Sequence, residues 1–344
     1  MPTAIFNSLE AGIIYAIMAL GVYLSFRILD FPDLTVDGSF VTGGATAAIL
    51  IVNGYPPVFA TVMAVFAGFA AGVLTGLLHT KGGINPLLSG ILMMIALYSI
   101  NLRIMDGRPN VSLLSEDTVI SKIRESWSSL GLDETMSNIL GLVGLQGVIP
   151  SGWGVLLVMM VVTIMIKLLI DAFLKTEIGL ALRATGDNTG MVQSFSANTN
   201  SMKVLGLGLS NSLVALSGAL IAQYGGFSDI GLGIGMIVIG LASVIIGEAV
   251  FGAKTIVRAT LAVVGGAIIY RIIITLAMQA KFLQLQAGDM KLITALIVII
   301  ALILPKIIDK QKEKRRKQKR LLEIKAEYGS KSNGGDYIAA AKAD

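Results

Sequence analysis

The chain has no cysteine and a single histidine among its 344 residues. The first absence excludes disulfides and thiol chemistry. The second leaves no histidine-based cluster for a transition metal, so neither a metal site nor a cofactor is expected. Charge is scarce too: Asp, Glu, Lys and Arg make up 14%, against a usual share of about a quarter. No nucleophile–base pair or metal constellation stands out, which argues against a membrane-embedded enzyme. Hydrophobic residues fill the chain instead, at 54% of the total with a mean hydropathy of +0.79. That composition describes an all-α polytopic membrane protein.

The net charge of +5 sits in one place. Residues 306–344 hold 12 Lys/Arg and 6 Asp/Glu, whereas the preceding residues hold 15 and 16. The run from Lys310 to Arg320 follows an apolar stretch and reads as a positive-inside anchor against membrane lipids, with a cytoplasmic C-terminus. It has no interleaved aromatics and no folded module, so no nucleic acid is expected as a partner. The division expected is a transmembrane domain over 1–305 and a basic cytoplasmic tail over 306–344. Residues 1–10 carry no Lys or Arg, and no clear small-x-small site follows, so the first helix is expected to be retained.

Roughly 20 apolar residues cross a bilayer as a helix. On that measure spans are expected near 9–26, 39–52, 58–78, 86–101, 155–170, 204–224, 234–250, 256–277 and 292–304. That makes nine, with eight to ten defensible; an apolar piece at 139–149 is too short to count. Counting back from a cytoplasmic tail places 171–203 inside and 103–151 outside. Arg103, Arg108, Lys122 and Arg124 give the outer placement poor positive-inside support: either Asp106, Glu116, Asp117 and Glu125 offset them, or a span is miscounted. Phe31-Pro-Asp-Leu and Phe227-Ser-Asp-Ile echo each other, each after a long apolar helix and on opposite sides in this count. An inverted repeat would demand that arrangement. Glycines at 68, 72 and 76 have the spacing that lets membrane helices approach closely.

Ionisable groups inside spans are costly and usually face the bundle interior. Arg27, Asp30, Asp33 and Asp37 cluster at the first helix break. One reading places Asp33, Thr35, Asp37 and Ser39 at a broken helix lining a translocation path. The other makes Asp33 or Asp37 a helix cap and Arg27 a snorkelling residue. Glu248 and Arg271 lie in late apolar runs, and a pair bridging adjacent spans is one expectation for them. His79, beside Lys81, reads as an interface residue. Gly247 to Thr255 nearly forms a phosphate loop, but Ala253 separates the second glycine from Lys254 and no strand precedes it. The chain is therefore expected to bind no ATP itself.

Residues 175–189 form a polar island between two apolar spans. Ile178, Leu180, Ala181, Leu182 and Ala184 supply apolar positions and Glu177, Arg183 and Asp187 supply charge, as a short surface helix docking into a partner's groove would. Gly179, Ala181, Arg183, Ala184 and Asp187 follow a Gly-x-Ala-x-Arg-Ala pattern that precedes an Asp. The island thereby resembles the cytoplasmic coupling segment of branched-chain amino acid-type ABC-importer permeases. Gly12 to Gly21 is similar to that family's opening helix, and Ile239 to Gly247 with Phe251-Gly252 is similar to its glycine-rich late helix. The Phe31–Phe40 break departs from the family's Asn-Phe-Ala-His-Gly-Glu segment. Its Asp-Leu-Thr-Val-Asp-Gly-Ser wording instead resembles a subfamily, some members of which are assigned to tryptophan or tyrosine uptake. The resemblance covers roughly residues 9–304.

The resemblance implies a dimerising permease in a prokaryotic plasma membrane. Its implied partners are a separate ATP-binding cassette ATPase subunit and an extracytoplasmic solute-binding protein, and a homodimer is expected. The coupling segment would span 176–196, with Glu177, Gly179, Arg183, Gly186 and Asp187 as its coupling residues. The rival class is an ion-coupled secondary transporter or channel, favoured by the buried carboxylates and the repeat. Such a carrier has no need of a docking island.

Overall fold

Apolar stretches bounded by prolines and small polar caps become the helices. α1 (Pro2–Val22) runs into a π-helical segment, Tyr23–Ile28, and is followed by α2 (Thr35–Val52), α3 (Pro57–Thr80) and α4 (Pro86–Ile104). Pro57 and Pro86 occupy first turns, where a missing N–H breaks no helical bond. A short strand β1 (Asn110–Ser112) and α5 (Val119–Ser129) come next, the latter opened by a Thr118–Ser121 capping box. α6 (Trp153–Lys175), α7 (Glu177–Asp187), α8 (Thr189–Ser194) and α9 (Thr199–Gly225) follow. The chain then forms β2 (Phe227–Asp229), a 3₁₀ turn at Ile230–Gly233, α10 (Met236–Phe251) and α11 (Ile256–Gln279). This computed structural model describes residues 2–131, 153–194 and 198–279 continuously, with isolated helical positions between 292 and 317.

Among the described residues eight helices are long and apolar enough to cross a membrane. That agrees with the expected all-α polytopic class and its range of eight to ten. The second begins at Thr35, four residues earlier than read from the sequence, so Asp37 lies in its first turn. The expected ninth span at 292–304, the apolar piece at 139–149 and the basic tail lie, isolated positions apart, outside the described residues.

Within residues 1–298 the helices fall into two matched sets. α1 and its π-helical end have 21 and 6 residues against 27 in α9; α2 and α10 have 18 and 16; α3 and α11 have 24 each. Packing follows the same correspondence: α1 meets α11 as α9 meets α3, and α1 meets α10 as α9 meets α2. α1 and α9 are antiparallel, since Ser217 Oγ donates to the Ile14 carbonyl and Ser210 Oγ to the Gly21 carbonyl. An inverted repeat has these features. Close approach depends on small residues, as a Cβ on Gly72 would strike the Leu207 carbonyl and one on Gly218 the Phe40 carbonyl. Outward faces carry exposed apolar residues such as Phe66, Ile95, Leu169 and Leu261.

β1 and β2 pair antiparallel, with Val111 opposite Ser228. This ladder fixes residues 110–112 at the same end of the bundle as the α9–α10 connection, in agreement with the span count.

Candidate functional site

Two helix breaks face each other across the repeat. In the first, Asp33, Thr35 and Ser39 are fully buried and Asp37 is half-buried. Asp33 Oδ1 accepts from the Thr35 N–H at 3.0 Å and Oδ2 from Asn211 Nδ2 at 2.6 Å. Thr35 and Thr75 share a hydroxyl–hydroxyl bond of 2.8 Å, which ties the start of α2 to α3. Asp37 does not cap its own helix. Its carboxylate accepts from the Gly235 and Ile237 N–H groups at 2.9 and 2.8 Å, capping α10 about 200 residues away. Gly235 takes a φ of +88° at that start, a conformation a Cβ would strain.

The second break repeats the device. Asp229 Oδ1 accepts from the Gly231 N–H at 2.7 Å and Oδ2 from Asn110 Nδ2 at 3.3 Å. The Phe-x-Asp echo in the sequence therefore corresponds to one local turn built twice. A cavity of about 380 Å³ lies between the breaks and α4, bounded by Asp37, Tyr98, Asn101 and Ile234 among others. Of the expected path residues only Asp37 borders it. Ser39 Oγ and Asn211 Oδ1 are buried without a hydrogen-bond partner among the described residues.

The polar island forms α7 as expected. Thr176 caps it by accepting from the Gly179 N–H. Gly179 and Leu182 turn inward, whereas Ile178 and Leu180 are 49% and 50% exposed. Gly179 has a steric reason: a Cβ there would collide with the Phe173 carbonyl, so glycine lets α7 fold back against α6. Gly186 likewise sits on the Ile28 carbonyl, bringing α7 against the π-helical end of α1. Glu177 and Asp187 are exposed at the two ends of the helix, and Arg183 is half-buried. Of the expected 176–196 segment, residues 195 and 196 lie outside the described residues.

Arg183 and Asp187 face a second cavity, of about 480 Å³, with Tyr23, Arg27, Glu248 and Lys254. Here the structure corrects one expectation. Glu248 pairs with Arg27, whose Nε–H donates to Oε1 at 3.0 Å, and not with Arg271. Glu248 belongs to the α7 end of the bundle, whereas Arg271 stacks its guanidinium 4.4 Å from the Tyr15 ring centroid, closer to the other end. His79 is an interface residue as read: Nδ1 meets the Ile84 carbonyl at 2.8 Å, and its ring stands edge-on to Phe31.

Two buried polar groups escaped the sequence reading. Lys167 and Asp171 form an ion pair one helical turn apart inside α6, and Thr260 Oγ1 of α11 donates to Asp171 at 2.7 Å. The i, i+4 spacing was the available signal, lost because the span was ended at Ile170. Glu10 is buried in α1 and accepts from the Tyr224 hydroxyl at 2.9 Å.

The model of the family described as "Branched-chain amino acid transport system / permease component" matches residues 4–304. The chain is 41% identical over 297 residues to a tyrosine transport system permease protein of Clostridioides difficile (strain R20291), covering 86% of this chain and 90% of that one. It is 36% identical to an uncharacterized protein of Rickettsia prowazekii (strain Madrid E), covering 71% and 77%. A ribose import permease protein of Escherichia coli (strain K12) is 23% identical over 63% of this chain and 60% of its own. No solved structure matches.

Proposed function

The chain belongs to the branched-chain amino acid transport system / permease component family, and from that premise we propose that it is the transmembrane subunit of an ATP-driven importer. The observation that carries this reading is α7. It is a capped, amphipathic helix folded tightly against α6, α9 and the π-helical end of α1, yet it leaves Ile178 and Leu180 uncovered at one end of the bundle. Fully burying such a side chain is worth about 1.5–3 kcal/mol, so a groove on a partner would gain from covering both. We take that partner to be a separate ATP-binding cassette subunit on the cytoplasmic face, and 176–196 to be the coupling segment within a permease domain of 1–305. Glu177, Gly179, Arg183, Gly186 and Asp187 would act there: the glycines by close packing, the charged residues by polar anchoring. The basic segment 306–344 would be a cytoplasmic tail.

The path for the solute would run past the two breaks, with Asp33, Thr35, Asp37 and Ser39 on its wall. Unpaired buried polar atoms are costly, and Ser39 Oγ and Asn211 Oδ1 would gain partners when the path opens to water. A solute-binding protein would deliver substrate to the opposite face, and two copies of the chain would assemble. The relative named for tyrosine transport makes an amino acid or related compound the substrate class to test first.

Gly179→Pro and Arg183→Glu each test the reading. Both variants should insert at normal abundance while losing co-purification with the ATPase or substrate-stimulated ATP hydrolysis. Normal complex formation and uptake in both would remove 176–196 as the docking surface.

A further inference from the structure

The cavity between α7 and the α10–α11 connection holds more charges than pairs. Arg27 and Glu248 are bonded, while Arg183, Asp187 and Lys254 border the same space with no side-chain hydrogen bond or ion pair among the described residues. The bonded pair joins the two repeats: Arg27 ends the π-helical segment of the first and Glu248 lies near the end of α10 in the second. With Arg27 61% exposed and Glu248 20%, the pair adds little to stability and is exchanged at small cost. Arg183 and Asp187 lie on α7, the helix taken above as the docking element, and Lys254 lies on the α10–α11 connection. α7 touches the π segment backbone to backbone where Gly186 meets the Ile28 carbonyl, so displacement of α7 acts directly on the turn bearing Arg27. That turn is a π-helix, an element frequent at functional sites, and two residues after it Asp30 takes a positive φ of 51°.

We propose that Arg27–Glu248 is the resting arrangement of a partner-exchange switch that reports the position of α7 to the second repeat. When α7 moves, Glu248 passes from Arg27 to Arg183, releasing Arg27 toward Asp187. The number of ion pairs is kept or raised, so the two arrangements differ little in free energy, and α10 follows the carboxylate. Arg27 and Glu248 are thus positioning residues for transport. The proposal rests on the reading of α7 as the ATPase-docking helix.

The test uses the assembled transporter in vesicles and compares uptake per ATP hydrolysed with the thermal stability of the complex. Glu248→Gln retains an acceptor for Arg27 but not the charge that moves. It should lower uptake per ATP by roughly tenfold, within the 5–150-fold range of ordinary coupling free energies, at unchanged abundance. Arg27→Glu and Glu248→Arg should do the same and, by setting two like charges against each other, lower the melting temperature slightly. The double variant R27E/E248R re-forms the resting pair with reversed sign and should recover stability. It should not recover uptake, because the guanidinium at 248 then meets Arg183. Recovery of both, or normal coupling in Glu248→Gln, would show a static bond and overturn the switch. Failure of the unmodified chain to bind any ATPase would instead overturn the importer reading on which the switch depends.

Discussion

The two helix breaks are built alike and situated differently. Each has an aspartate whose Oδ1 accepts from the N–H two residues on and whose Oδ2 accepts from an asparagine side chain. In the first break that asparagine is Asn211, fully buried in the middle of α9; in the second it is Asn110, exposed on β1. The first break is carboxylate-rich and held by side chains, and the second is glycine-rich and held by a strand ladder and by Asp37 from the first. The halves of the repeat have therefore divided the work. One supplies charge and the other supplies backbone N–H groups for that charge to hold.

Substitutions at matched positions test this division. Asn211→Ala should be the most damaging, because it leaves the buried Asp33 carboxylate with Thr35 alone as donor. A cost of about 3 kcal/mol or more is expected, read as a large fall in thermal stability of the purified protein. Asp37→Ala should come next. It uncaps α10 and orphans two N–H groups, for about 1–2 kcal/mol, with the loss confined to the α10 start in hydrogen exchange. Asn110→Ala, the exposed counterpart of the first, should cost about 0.5 kcal/mol, since water replaces its bond. Equal effects at Asn211 and Asn110 would show that burial does not separate the two breaks.

Much of this was legible in the sequence because it depends on local pattern. Apolar run length gave the spans, Pro32 and Asp33 marked the first break, and the alternation of Ile178, Leu180 and Arg183 marked α7. Partners distant in sequence were not legible. Asp37 carries the signature of a cap, but nothing in its neighbours says that it caps α10. Glu248 shares the late apolar runs with Arg271, and nothing in the sequence says that its partner is Arg27, at the α7 end of the bundle. The strands were missed because three residues hold no periodicity. Gly179 and Gly186 were read as coupling residues, while their steric reason appears only once the Phe173 and Ile28 carbonyls are in place.

On the proposed reading, the solute path runs between the breaks and is switched by nucleotide on a separate subunit. The absence of cysteine makes this directly measurable. Single cysteines at positions 33, 35 and 37 of the assembled transporter are exposed to a small polar thiol reagent, with and without substrate, in nucleotide-free and ATP-trapped states. Labelling should change between nucleotide states and fall with substrate, most at 37, which borders the cavity in this conformation. Labelling that stays constant across all states at all three positions would remove the path and leave these residues as structural caps.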